Sequence, residues 1–183
     1  MSMFFNRMPL LNCFSGPTES CEELLPLSAA SSKEPVIINV YDLFNINEYV
    51  VPLGLGIFHT GVQVYGTEYT YGGHSFANTG IFEMPPRSAE QELGEHFHYR
   101  QSIQLGHTQF TRDEVHRIVE QLGWQFTGNS YHLTNNNCNH FSDAMARILC
   151  GRQIPGWINR LAYFVGCVPF LERCLPPEWL TPM

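Results

Sequence analysis

The pattern of hydrophobic and polar residues divides the chain into a first half of short strands and a second half of helices. Residues 36–42 form a short, β-branched apolar run that is typical of a buried strand, and residues 54–65 alternate in character. Further strands are predicted at residues 68–73, 80–84 and 97–105. In the alternating segment, side chains on two faces are predicted: Phe58, Thr60, Val62 and Val64 on one, and Ile57, His59, Gly61 and Gln63 on the other.

The second half carries the start and stop signals of helices. Residues 111–114 (Thr-Arg-Asp-Glu) match a capping box, and an apolar stripe at helical spacing follows it up to Gly123. A second helix is predicted from Cys138 to Cys150, with Gly151 as its stop signal, and a third over residues 157–165. Strands followed by helices predict an α+β fold, with an antiparallel sheet or small barrel packed against helices.

Composition adds limits to this picture. The chain has 183 residues, of which 44% are hydrophobic, so residues 35–183 are long enough for one packed domain after a flexible tail at residues 1–34. The net charge of −7 argues against binding to nucleic acid. The six cysteines show no metal-binding spacing, so no metal or cofactor is expected. No apolar run approaches the ~20 residues of a transmembrane helix, and the expected location is the cytoplasm, with the nucleus as a second compartment.

Cys138 is the candidate nucleophile. Asparagines precede it, and their side chains are good caps for a helix start, which places Cys138 at or just inside a helix N-terminus. The partial positive charge of the backbone there favours the thiolate. The alternative is an unreactive cysteine buried in the core.

A cysteine nucleophile needs a base, and the chain has eight histidines. His140 is unsuitable because helical side chains two residues apart do not face each other. His59 lies in the middle of a predicted strand among glycines, where another backbone can approach closely, and His132 is the second candidate. The alternative for His59 is a buried, hydrogen-bonded imidazole with no catalytic role.

Three stretches resemble one known family: residues 56–62 (Gly-Ile-Phe-His-Thr-Gly-Val), 71–73 (Tyr-Gly-Gly) and 137–142 (Asn-Cys-Asn-His-Phe-Ser). Together with weaker similarity at residues 39–42, 151–161 and 175–180, they resemble the PPPDE family of desumoylating-isopeptidase-like cysteine peptidases. The resemblance implies a circularly permuted papain-like fold in which His59 is the general base and Cys138 the nucleophile. It implies a dyad, and no third catalytic residue is nominated.

The resemblance also implies a function. Family members remove ubiquitin-like modifiers such as ubiquitin or SUMO from proteins, through a thioester acyl-enzyme, and some form dimers. Conjugates of ubiquitin or SUMO are therefore the expected partners, and a homodimer is a further expectation. Two alternatives are a palmitoyl-protein thioesterase that uses the same dyad, and a module that binds modifiers without cleaving them.

Overall fold

The computed structural model describes residues 33–43, 47, 56–160 and 162–163, which form one antiparallel sheet with three helices. Its elements in chain order are β1 (Glu34–Leu43), β2 (Phe58–Val64), β3 (Thr67–Tyr71), β4 (Ile81–Met84), α1 (Ala89–Leu93), β5 (Phe97–Thr108), α2 (Arg112–Gly123) and α3 (Cys138–Cys150). The strand order is β4-β3-β2-β1-β5. The predicted α+β class is therefore confirmed, with an open sheet rather than a small barrel.

The register of the central strands sets which side chains share a face. Tyr41 of β1 lies opposite His59 of β2, and Val40 lies opposite Thr60. Because successive residues of a strand point to opposite faces, His59 and Thr60 leave β2 in opposite directions. The predicted separation of the β2 side chains into two faces is therefore present in the structure.

One face of the sheet carries the main core. Helices α2 and α3 supply their apolar stripes to this face, because Val115 and Leu122 of α2 and Phe141, Met145 and Leu149 of α3 are all buried in it. From the sheet, Val36, Ile38, Val40, Phe58, Val62, Val64, Tyr69 and Tyr71 belong to this cluster. The helix that carries Cys138 thus packs on the face of β2 that bears Thr60.

The opposite face carries a smaller cluster under α1. Tyr41, Met84 and Ala89 are its buried members, and Phe97 packs against them. The buried carboxylate of Glu68 accepts hydrogen bonds from the Tyr41 hydroxyl at 2.9 and 3.0 Å. Polar groups enclosed on this face therefore have partners, as buried polar groups require.

Two of the three predicted helices are present, and the third is described only in part. The capping box at Thr111 is present, since Glu114 N–H donates to the Thr111 hydroxyl and the Glu114 carboxylate accepts from the Thr111 N–H. Helix α3 covers the predicted residues from Cys138 to Cys150. The third predicted helix is only partly described: residues 156–159 form a turn, and helical backbone appears at residue 160 and at residues 162–163. The rest of that prediction lies outside the described residues.

Most of the predicted tail, residues 1–32, lies outside the described part of the chain, so the boundary at residue 34 stays a prediction. Within the described part, no helix is both long and apolar enough to cross a membrane.

Candidate active site

The N-terminus of α3 is fixed by a side-chain cap that positions Cys138 as the first helical residue. The Asn137 side chain accepts hydrogen bonds from the backbone N–H groups of Asn139 and His140, at 2.9 and 3.0 Å. The His140 imidazole in turn accepts from the Asn137 backbone N–H, which completes a capping box. The helix ends at Gly151, whose φ of 67° is the left-handed conformation that glycine tolerates. The role of Asn137 as a cap is therefore confirmed.

Asn139 connects the start of α3 to Phe58 and Thr60, the two residues of β2 that flank His59. Its side-chain nitrogen donates to the carbonyl oxygen of Phe58 at 3.1 Å, and its side-chain oxygen accepts from the Thr60 hydroxyl at 2.9 Å. The Cys138 thiol donates to the same Asn139 oxygen at 3.8 Å. Both neighbours of His59 are thereby tied to the helix that carries the candidate nucleophile.

Asn159 completes the polar lining. Its side-chain oxygen accepts from the amide nitrogens of Asn137 and Asn139, at 3.1 and 3.3 Å, and its nitrogen lies 3.3 Å from His140 Nε2. Three asparagine side chains thus form one hydrogen-bonded network around the helix start. Such a network holds backbone and side chains in fixed positions, because each amide has a defined partner.

A small cavity of about 30 Å³ opens beside Cys138. A cavity of that volume holds about one or two water molecules, and no peptide. Its polar lining includes the three asparagines and Thr134, and its apolar lining includes Tyr131 and Ile158. Cys138 itself is 3% exposed, so the thiol is closed off from bulk solvent in this arrangement.

Burial decides the protonation of the thiol. Desolvation raises the pKa of Cys138 to about 11, although hydrogen bonds from the Thr60 backbone, from the Tyr131 side chain and from the helix-start backbone act in the opposite direction. The expectation that the helix N-terminus makes Cys138 a thiolate is therefore wrong for this arrangement, because the loss of water outweighs the helix dipole. The resting group is the neutral thiol.

The structure does not bring His59 into contact with Cys138. The His59 ring lies on the α1 face of the sheet, 5.1 Å from the ring of Phe97 and 6.1 Å from that of Tyr41, measured between centroids. Its Nε2 is 2.7 Å from the Thr70 hydroxyl oxygen. Burial lowers the pKa of His59 to about 4. The alternative of a buried, hydrogen-bonded imidazole describes this arrangement, and the catalytic roles of both residues stay predictions.

The second candidate base, His132, contacts Thr134. Its Nδ1 lies 3.0 Å from the Thr134 hydroxyl, and its backbone forms an isolated bridge with Asn136. His140 is engaged with Asn137 and Asn159, as part of the cap. Within the described residues, no group of three or more His, Cys, Asp or Glu side chains is arranged to hold a metal ion.

Sequence reasoning missed Tyr131, Asn139 and Asn159. The Tyr131 hydroxyl hydrogen-bonds the Cys138 sulfur, and burial holds the pKa of Tyr131 well above its usual range, so the phenol remains a donor. The only sequence feature that could have pointed to Asn139 is its position next to Cys138. Tyr131 and Asn159 lie 7 and 21 positions from Cys138, and no periodicity connects them to it.

Replacement of Tyr131 by phenylalanine is expected to slow the alkylation of Cys138. The phenol donates a hydrogen bond that favours the thiolate, so its loss raises the pKa of Cys138 further, and one such bond corresponds to about a fivefold to tenfold change in rate at fixed pH. The measurement is the rate of iodoacetamide modification against pH, followed on the peptide that contains Cys138 by mass spectrometry, because the chain has five other cysteines. Tyr65→Phe is the control, because it removes a hydroxyl that bonds Phe110 instead. An unchanged rate in Tyr131→Phe would refute the donor role.

Comparison with known proteins agrees with the motifs around His59 and Cys138. The family model described as the PPPDE putative peptidase domain matches residues 34–179. The chain is 46% identical over 171 residues to a desumoylating isopeptidase 1 homolog of Caenorhabditis elegans, covering 93% of this chain and 50% of that protein. It thus spans about half the length of that relative. A DeSI-like protein of Arabidopsis thaliana is 38% identical, covering 87% of this chain and 67% of its own length, and desumoylating isopeptidase 1 of Homo sapiens is 30% identical, covering 78% and 83%. The chain belongs to the PPPDE peptidase family.

Proposed function

We propose that this chain is a cysteine isopeptidase that removes a ubiquitin-like modifier from lysine side chains, with Cys138 as its nucleophile. The observation that carries the proposal is the position of Cys138: it is the first residue of a capped helix and lines a cavity with three asparagine amides. A thiol at a helix N-terminus is placed for acyl transfer because nearby backbone N–H groups can stabilise an oxyanion. The relatives named desumoylating isopeptidase support SUMO as the modifier.

The proposed reaction has two halves. His59 takes the thiol proton of Cys138, and the sulfur attacks the carbonyl carbon of the modifier's terminal glycine. The C–N bond to the lysine nitrogen then breaks, His59 returns its proton to the leaving amine, and a thioester remains on Cys138. Water, deprotonated by His59, hydrolyses the thioester and regenerates the thiol. Asn137 occupies the Asn139 and His140 N–H groups, so the Cys138 N–H is the proposed oxyanion donor.

This chemistry requires His59 to turn toward the α3 face. His59 lies opposite Tyr41 in the sheet, and both of its neighbours are bonded to Asn139, so the change rearranges the middle of β2 and breaks the contact with Thr70. In this proposal, the described arrangement is a resting form with a neutral thiol, and substrate binding favours the paired form.

The amides beside Cys138 favour an isopeptidase over a depalmitoylating enzyme. A Gly-Gly tail needs a narrow slot with amide partners, whereas a palmitoyl chain needs a long apolar channel. In the described arrangement the cavity is too small for either group, and its lining combines the amides of three asparagines with apolar side chains such as Leu43 and Ile158. The thioesterase therefore stands as an alternative outcome of the test, together with a module that binds without cleaving.

The experiment compares three substrates with the full-length protein: a SUMO–lysine isopeptide, a ubiquitin–lysine isopeptide and a palmitoyl-cysteine thioester peptide. We expect hydrolysis of a modifier conjugate, and a loss of at least about a hundredfold in kcat/KM in His59→Gln. Turnover of the palmitoyl thioester alone would replace the isopeptidase assignment by a thioesterase. No turnover together with saturable modifier binding would replace it by a binding module.

A further inference from the structure

A groove separate from the cavity beside Cys138 lies on the main-core side of the sheet, between β4 and the end of α2. It has a volume of about 600 Å³, and none of its lining residues lines the cavity beside Cys138. Its apolar walls include Ile81 and Val119, and its rim carries Glu83, Glu120 and Trp124. A groove of this size can hold a peptide segment of a partner protein, and is larger than a site for a single ion or a few water molecules.

Trp124 is the most unusual residue of this groove. Its side chain is 87% exposed, although tryptophan is the largest apolar side chain and contributes most when it is buried. Exposed tryptophan is enriched at the centres of protein–protein contacts. Phe76, in the loop before β4, is 72% exposed, so the surface around the groove carries two unburied aromatic rings.

The negative charge of the groove favours a partner segment that is positively charged. Glu83 and Glu120 line it, and no lysine or arginine does. The His116 imidazole also lines it and lies 3.6 Å from the Glu83 carboxylate. Two carboxylates beside an exposed indole suit a lysine or arginine side chain, whose charge pairs with the carboxylates and whose flat or aliphatic part packs on the ring. A second copy of this chain is a poor occupant, because the chain has 17 acidic and only 10 basic residues.

The edge of the sheet indicates the conformation of that partner. β4 is the last strand in the sheet order, with β3 as its neighbour on one side. On the other side, residues 78–80 pair with residues 126–128 and the Ile81 N–H donates to the Thr79 hydroxyl, so the edge without a strand partner among the described elements is residues 82–84. An extended peptide can add to such an edge through backbone hydrogen bonds, and alternate side chains then fall on one face. Ile81 and Glu83 are on the β4 face that lines the groove.

We propose that the groove formed by β4, the end of α2 and Trp124 is a docking site for an extended basic segment of a partner protein. The segment lies beside β4, with alternate lysine or arginine side chains directed at Glu83, Glu120 and the Trp124 ring. The proposal is independent of the chemistry at Cys138, since the two sites share no residue.

The test measures binding of a short end-blocked peptide that alternates lysine with valine or threonine, labelled for fluorescence anisotropy, to the full-length protein. Saturable binding is expected, with at least about tenfold preference over the same peptide with glutamate in place of lysine. Glu83→Gln with Glu120→Gln should weaken binding by about tenfold, as should Trp124→Ala. The charge reversal Glu83→Lys with Glu120→Lys should transfer the preference to the acidic peptide.

The control is Glu92→Gln with Glu95→Gln, which removes two exposed carboxylates elsewhere and should leave the affinity within about twofold. All replaced side chains are exposed, so thermal unfolding is expected to match that of the wild type. Equal binding of basic and acidic peptides, equal effects in the control variant, or the lack of saturable binding would each overturn the proposal.

Discussion

Replacement of Cys138 by alanine is expected to reduce hydrolysis of a modifier conjugate by at least about a thousandfold, while Cys150→Ala keeps it within about twofold. Both cysteines are free thiols on α3, one at its first residue and the other at its last. Only Cys138 lines the cavity with the asparagine amides, whereas the Cys150 thiol donates to the Ala146 carbonyl one turn back. The measurement is kcat/KM on the conjugate that the wild type cleaves best.

The pair of variants separates a loss of chemistry from a loss of fold. Each removes one sulfur from the same helix, so a general destabilisation of α3 would affect both. Alanine at position 138 keeps the cap, because Asn137 bonds the backbone N–H groups of the next two residues. Equal activity in the two variants would exclude Cys138 as the nucleophile.

The free energy of unfolding is expected to fall by about 2 kcal/mol between pH 7 and pH 5 through His59 alone. Burial lowers the pKa of His59 from 6.5 to about 4 in the folded state. Between those values the unfolded chain binds a proton at this residue and the folded chain does not. Protonation therefore stabilises the unfolded state as the pH falls, and stability rises again with pH until it levels off above about 6.5.

Urea denaturation at a series of pH values measures this effect as the difference between the wild type and His59→Gln. The wild type should lose stability relative to the variant as the pH falls through this window. His107→Gln, which removes an exposed histidine of β5, is the control and should keep the wild-type pH dependence. If His59 instead formed an ion pair with a Cys138 thiolate at rest, its pKa would be raised and the wild type would not show this loss.

Sequence patterns predicted most of the fold because the strands and helices are regular. The two-residue alternation in β2, the capping box at Thr111 and the apolar stripe after Cys138 each describe a local arrangement that depends on few distant contacts. Helix α1 was not predicted. It has five residues, and its one buried side chain, Ala89, gives no periodic signal.

The arrangement of the candidate site could be predicted from the sequence less completely than the fold. Alternation in β2 separates His59 from Thr60, but only tertiary packing decides on which of the two faces α3 lies. Helix α3 packs on the sheet face that bears Thr60, so His59 and Cys138 are not paired in this structure. The protonation of Cys138 was misjudged for a related reason, since the helix position is visible in the sequence and the 3% exposure of the side chain is not.

The most direct test of the central claim is peptide mapping of the covalent adduct between the full-length protein and SUMO carrying a thiol-reactive C-terminal group. The account predicts one adduct, on Cys138, that is lost in Cys138→Ala and greatly slowed in His59→Gln. An adduct on another cysteine, or labelling of Cys138 at the same rate in His59→Gln, would contradict it.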